Sequence, residues 1–196
     1  CRKFNDFNHR YSVGEFIFNN DLQHDNIVTM PAVENALSEF EMSLPWYYDF
    51  EPNEDRFDKN KKVVAYNDAF NKTYISFILE TYFDFDTKQD FVDVSEKFSN
   101  AVRHLHPFII YSRPGYLKYL KKLGYKTFDQ WWDESYDEIE NTQLRKRMLL
   151  QLYKKLNDKT LDELAEMRKQ MMPILKHNCD LYNHNKSTHN YFDNLF

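Results

Sequence analysis

Three short clusters in this chain carry residue types suited to holding an anion or a sugar: Glu80-Thr81, Ser95-Glu96-Lys97 and Ser112-Arg113. Ser95 stands just before an amphipathic run in which Phe98, Ala101, Val102 and Leu105 recur at i, i+3, i+4 and i+7. Its hydroxyl therefore suits an N-cap, and Glu96 and Lys97 fall in the first helical turn. The unbonded N–H groups and the positive dipole end of a helix start attract anions, so Lys97 is placed to neutralise a phosphate and Glu96 to accept from a sugar hydroxyl. The dipole also favours an acid there with no ligand present, so the pair does not define a site by itself. Glu80 follows the mostly apolar run Tyr74 to Leu79, which predicts a carboxylate emerging at the carboxyl end of a strand, as a base or hydroxyl acceptor.

These clusters need a scaffold, and the pattern around them supplies one. Residues 62–66, 74–79 and 107–111 read as strands, and the run from Phe98 to Leu105 reads as the helix between the last two. Pro114-Gly115 predicts a turn, Tyr116, Tyr119, Leu120 and Leu123 a second helix face, and Gly124 its C-cap. Lys126-Thr127-Phe128 is short and strand-like. Nearer the N-terminus, Val13, Phe16 and Ile17 suggest a helix and Ile27 to Met30 a strand. Residues 31 to 60 are irregular around a short helix near Ala32 to Phe40. Two helices follow at the C-terminal end, the first carrying Leu144, Met148 and Leu152. The second carries Leu161, Leu164, Met167, Met171 and Ile174, with Pro173 bending it near its end.

Strand and helix in alternation, with continuously apolar strands, predict an α/β fold with a Rossmann-like, buried parallel sheet and a helical C-terminal extension. In such sheets ligands lie outside the carboxyl ends of the strands, where the three clusters fall. The expected organisation is a Rossmann-like nucleotide-binding domain over 1–140, helices over 141–180 packing on it, and a tail over 181–196.

Composition limits the chemistry. The chain has 196 residues, 42% of them hydrophobic and 17% aromatic, but only three glycines, Gly14, Gly115 and Gly124. That excludes a Gly-x-Gly-x-x-Gly fingerprint and a Walker loop, because both need glycine for close backbone approach to phosphate. Any phosphate must be held by side chains and helix ends. A net charge of −5 gives no global attraction to nucleic acid. The densest basic runs, Lys59-Asn60-Lys61-Lys62 and Arg145-Lys146-Arg147, read as solvated surface. No apolar run reaches the roughly 18 residues of a membrane span and no signal peptide is visible, so a cytoplasmic protein is expected. Two cysteines, Cys1 and Cys179, do not make a disulfide framework. The chain opens on Cys1 rather than Met, which leaves room for a missing N-terminal domain or a partner chain.

Other constellations carry less. Asp84-Phe85-Asp86 has the form of a metal-binding Asp-x-Asp, but among 31 acids that spacing is weakly informative, and no metal is expected. His177, Cys179, His184 and His189 match no zinc-ligand spacing and read as part of a mobile tail. Trp131-Trp132-Asp133-Glu134-Ser135-Tyr136-Asp137 suits either a glycan contact, by stacking and carboxylate bonds, or a Trp pair in the core with its acids in water.

The order of these segments adds what no one of them supplies. Ile78 to Phe83, Val94 to Lys97, His106 to Ile110, Gly115 to Leu120, Leu123 to Phe128 and Trp132 to Asp137 follow each other as in a family of glycosyltransferase-like proteins from large bacteriophages, other large viruses and marine microbes, which the chain resembles over roughly 1–30 and 74–180. The opening around Asn5 to Arg10 is similar to that family's Arg-rich start. More distantly, Glu80 and Ser95 to Pro107 resemble the donor-binding half of GT-B fucosyltransferases. The resemblance implies Glu96 as the ligand of the donor ribose, Lys97 and Arg10 as ligands of the diphosphate, and Glu80 as lining the donor pocket. It implies a nucleotide-sugar as donor, with no cofactor, and a glycan, protein or modified DNA as acceptor. Two further readings stand beside it: a viral structural or host-interaction protein that keeps the fold without the chemistry, and a transferase acting on a hydroxylated DNA base.

Overall fold

A computed structural model describes residues 8–22, 26, 28–30, 46–48, 69–80, 83 and 94–193. The strand expected at 62–66, the short helix expected near 32–40, Thr81 and the Asp84-Phe85-Asp86 pair lie outside the described residues. The chain packs as two units, Cys1–Thr73 and Tyr74–Phe196. In the second unit the strands β3 and β4 pack with the C-terminal helices.

In the first unit, helix α1 (Asn8–Asn19) buries His9, Val13 and Ile17, one face at i, i+4 and i+8. Strand β1 (Val28–Met30) pairs in parallel with β2 (Trp46–Tyr48). Arg10 lies in this unit, within α1.

The second unit is mixed α/β, mostly helical around one parallel strand pair. Its elements are β3 (Ser76–Leu79), α2 (Glu96–Arg103), β4 (Phe108–Tyr111), α3 (Tyr116–Lys122), a 3-10 turn (Ser135–Glu138), α4 (Thr142–Asn157) and α5 (Leu161–Asp193). β3 and β4 align Ser76 with Phe108 through Leu79 with Tyr111, and α2 connects them. All four β4 residues are buried, as a strand covered on both faces requires. On one face Phe108 packs against Phe98 of α2 and against Phe128, each at 5.0 Å between ring centroids. On the other, Tyr111 meets Phe77 at 5.8 Å and stacks on Phe83 at 4.1 Å, while Phe77 meets Tyr153 of α4 at 4.9 Å. These rings form two layers that close the faces of a very small sheet.

Local signals account for most helix boundaries. Ser95 caps α2 and Asn141 caps α4, each accepting from the N–H three residues on. Thr160 and Glu163 form a reciprocal capping box ahead of α5. Three helices end in one motif, with a left-handed residue flanked by the two backbone bonds that close the last turn. That residue is Asp21 after α1, Leu105 after α2 and Gly124 after α3, with φ of 56°, 53° and 90°.

Three expectations need correction. Leu105 was placed on the α2 face, but the helix stops at Arg103 and Leu105 turns the chain toward β4. Lys126-Thr127-Phe128 is not a strand, because its pairing partner is a side chain: Lys126 N donates to Asn178 Oδ1 at 2.8 Å and Asn178 Nδ2 donates to Lys126 O at 2.8 Å. The expected C-terminal tail is instead helix, since α5 continues to Asp193 with Pro173 well inside it and Asn178 buried.

Candidate functional site

The β3–β4 ladder continues one residue beyond the strands, where Glu80 N donates to Tyr111 O at 3.0 Å. This places Glu80 at the carboxyl end of β3, as its position after the apolar run predicts. Its side chain does not open into water, because the residue is 6% exposed. Glu80 Oε1 accepts from Ser95 Oγ at 2.6 Å and from the Tyr116 hydroxyl at 3.2 Å. Burial pushes the Glu80 carboxyl above its usual range, against the opposing pull of the Ser95 bond, the Lys97 charge and the Tyr116 bond.

Ser95 has extended backbone, and its hydroxyl accepts from Phe98 N at 3.3 Å while giving its own proton to Glu80. One hydroxyl therefore caps α2 and ties its start to the end of β3. Glu96 and Lys97 follow on the outer side of the first turn, bonded to each other at 2.7 Å with side chains 75% and 36% exposed. Partial desolvation works to raise the Glu96 carboxyl, but the Lys97 bond and a backbone N–H outweigh it and hold the carboxyl low. At the end of β4, Ser112 is buried and Arg113 is half-exposed in the bend that follows. The structure thus brings Glu80, Ser95 and the Glu96-Lys97 pair to one place; Arg10 belongs to the other unit.

Two residues of this neighbourhood escaped the sequence reading. Tyr116, the first residue of α3, reaches Glu80 across 36 positions. Arg145, expected with its basic neighbours at the solvated surface, is instead 2% exposed. Its guanidinium lies 4.6 Å over the Phe83 ring and donates to four carbonyls, those of Ser112, Ile139, Glu140 and Phe83. Arg145 thereby holds together the segments that leave β3 and β4. A planar fork with five donors suits that task, and an ammonium does not.

The run from Trp131 to Asp137 is largely taken up by the fold. Trp132 is buried 5.2 Å from Phe128, and Trp131 bonds to Gln170 at 3.3 Å. Glu134 accepts from Thr127 Oγ1 at 2.6 Å and Phe128 N at 2.8 Å, and Asp137 accepts from Leu117 N and Lys118 N. Two of its three acids are therefore structural acceptors rather than solvated charges. At the C-terminal end, His177 Nε2 is bonded to Gly124 O at 2.9 Å. Among the described residues no group of three His, Cys, Asp or Glu side chains is arranged to hold a metal, and no helix is long and apolar enough to cross a membrane.

Comparison with protein-family models, with curated proteins and with solved structures yields no match to this chain.

Proposed function

We propose that residues 74–196 form the nucleotide-sugar-binding half of a GT-B-like glycosyltransferase, built on a Rossmann-like core. The observation that carries this reading is the hydrogen bond from Ser95 to Glu80, which joins a helix start to the carboxyl end of a parallel strand. Ligands of parallel α/β sheets lie at such a junction, and the open N–H groups of a first turn favour a diphosphate. In this role Glu96 accepts from the donor ribose and Lys97 exchanges its contact with Glu96 for a phosphate. Arg113, in the bend after β4, supplies further positive charge. Catalysis is electrostatic: cations and helix N–H groups stabilise the departing nucleoside diphosphate as the sugar passes to an acceptor hydroxyl of a glycan, a protein or a modified DNA base.

Calorimetric titration of the full chain with UDP-, GDP- and ADP-sugars tests the reading. At least one donor should bind, and Lys97→Ala should weaken it about tenfold, the scale of one charge-assisted contact. If none of the three binds, the proposal fails. Binding without release of nucleotide in the presence of any acceptor leaves a non-catalytic module that keeps the site.

A further inference from the structure

One oxygen of Glu80 is shared by hydroxyls at the starts of two helices. Ser95 is the N-cap of α2 and Tyr116 the first residue of α3, and both converge on Oε1 at 2.6 and 3.2 Å. A hydroxyl that donates to a carboxylate becomes a better acceptor, so the Glu80 bond strengthens the cap that Ser95 makes to Phe98 N. The geometry draws β3, α2 and α3 together at a single buried atom. That atom is poorly placed to receive a ligand hydroxyl, since it is enclosed and already accepts two protons.

Resting on the donor-site reading above, we infer that Glu80 is a positioning residue, acting through Ser95 to hold the first turn of α2 in the geometry that presents Glu96 and Lys97, and not itself contacting the donor. This assigns Glu80 a task different from lining the pocket. It also separates the acids of the site by role, the buried one setting geometry and the exposed one meeting ligand.

Two measurements test this. Amide hydrogen exchange of the ligand-free full chain reads the cap directly: Glu80→Ala and Ser95→Ala should each speed exchange at Phe98 by about tenfold, the scale of one lost net hydrogen bond. Glu80→Gln, which keeps an oxygen acceptor of the same shape, should speed it less than about threefold. If Glu80→Ala does not fold, Glu80→Gln, Ser95→Ala and Tyr116→Phe carry the comparison, with Ser95→Ala faster than Glu80→Gln at Phe98. Unchanged exchange at Phe98 in Ser95→Ala, or in a folded Glu80→Ala, overturns the inference whatever nucleotides do. The second measurement is a double-mutant cycle in affinity for the donor that binds best. Loss in the Glu80→Gln, Ser95→Ala pair should be no greater than in Ser95→Ala alone, whereas a direct donor contact by Glu80 would make the losses add. Exchange that responds as expected in a chain that binds no nucleotide-sugar sinks the donor-site reading and leaves Glu80 as the anchor of α2.

Discussion

Asp137 caps a helix to which it does not belong: its Oδ1 accepts from Leu117 N at 2.9 Å and its Oδ2 from Lys118 N at 3.0 Å. Gly115, at the N-cap of α3, has no side chain to offer and takes φ of 79°. Its own N–H donates to Asp137 O at 2.7 Å, so the 3-10 turn grips the start of α3 by backbone and side chain together. Asp137→Ala removes the cap and leaves the buried Leu117 N–H unmet, at an expected cost of about 2–3 kcal/mol in unfolding free energy. Asp137→Asn keeps one acceptor and should lose about half of that. Urea denaturation of the full chain measures both, and an unchanged midpoint in the alanine variant would refute the capping role.

Arg145 meets four carbonyls with one guanidinium, so the shape of its head group matters as much as its charge. Arg145→Lys should be nearly as damaging as Arg145→Met, each costing about 3 kcal/mol or more, because a single ammonium cannot span acceptors on three segments. A lysine variant as stable as the native chain in the same denaturation experiment would show that charge alone suffices.

Glu134 gives a pH signature. Burial raises its carboxyl above the ordinary 4.5, despite the Thr127, Phe128 and Lys121 contacts that oppose the shift. With the folded value above the unfolded one, the folded state holds the proton more tightly. The stability this contributes is complete below the unfolded value and disappears as pH rises through the folded one. The difference in Tm between the native chain and Glu134→Gln should therefore shift against the native chain as pH climbs from about 4 toward neutrality. A difference that stays flat, or moves the other way, would mean that the Lys121 and backbone contacts dominate.

Leu105 and Gly124 occupy the same place in two copies of one helix-ending motif, yet they should respond differently to substitution. Gly124 has φ of 90°, and a Cβ built on it would lie 3.3 Å from Leu181 Cδ2. Gly124→Ala should cost about 1–2 kcal/mol from backbone strain and crowding. Leu105 already bears that strain at φ of 53°, so Leu105→Gly relieves about 1 kcal/mol while giving up the apolar contacts of a half-buried side chain. Thermal melts should show a clear drop for the first variant and little change for the second.

Much of the scaffold near the candidate site could be read from neighbouring residues. Ser95 as a cap, the Phe98, Ala101 and Val102 face, the apolar strand before Tyr111 and the glycines bracketing α3 all rest on interactions within a few positions. The misreadings share the opposite character. Arg145 looked like surface because it sits in a basic run, and its acceptors are carbonyls, which no side-chain pattern advertises. Lys126 to Phe128 looked like a strand because Thr127 and Phe128 are strand-forming types, but the Lys126 backbone is met by an amide on α5 and not by a neighbouring strand. The acids after Trp132 looked free to bind sugar because their partners are backbone N–H groups, 20 positions away for Asp137 and six for Glu134, which no side-chain pattern shows.

The sequence by itself determined the mixed α/β character of the second unit, the start of α2 at Ser95, the exposed Glu96-Lys97 pair and the position of Glu80 at a strand end. Periodicity, capping and the lack of glycine loops are local or compositional properties, and they survive whatever the rest of the chain does. Only the tertiary structure decided which oxygen Ser95 and Tyr116 share, that Asn178 stands in for a strand, and that Arg145 is buried. Those contacts join residues 15, 36, 52 and 62 positions apart. A buried polar group must find a partner, but which one it finds depends on how the whole chain packs.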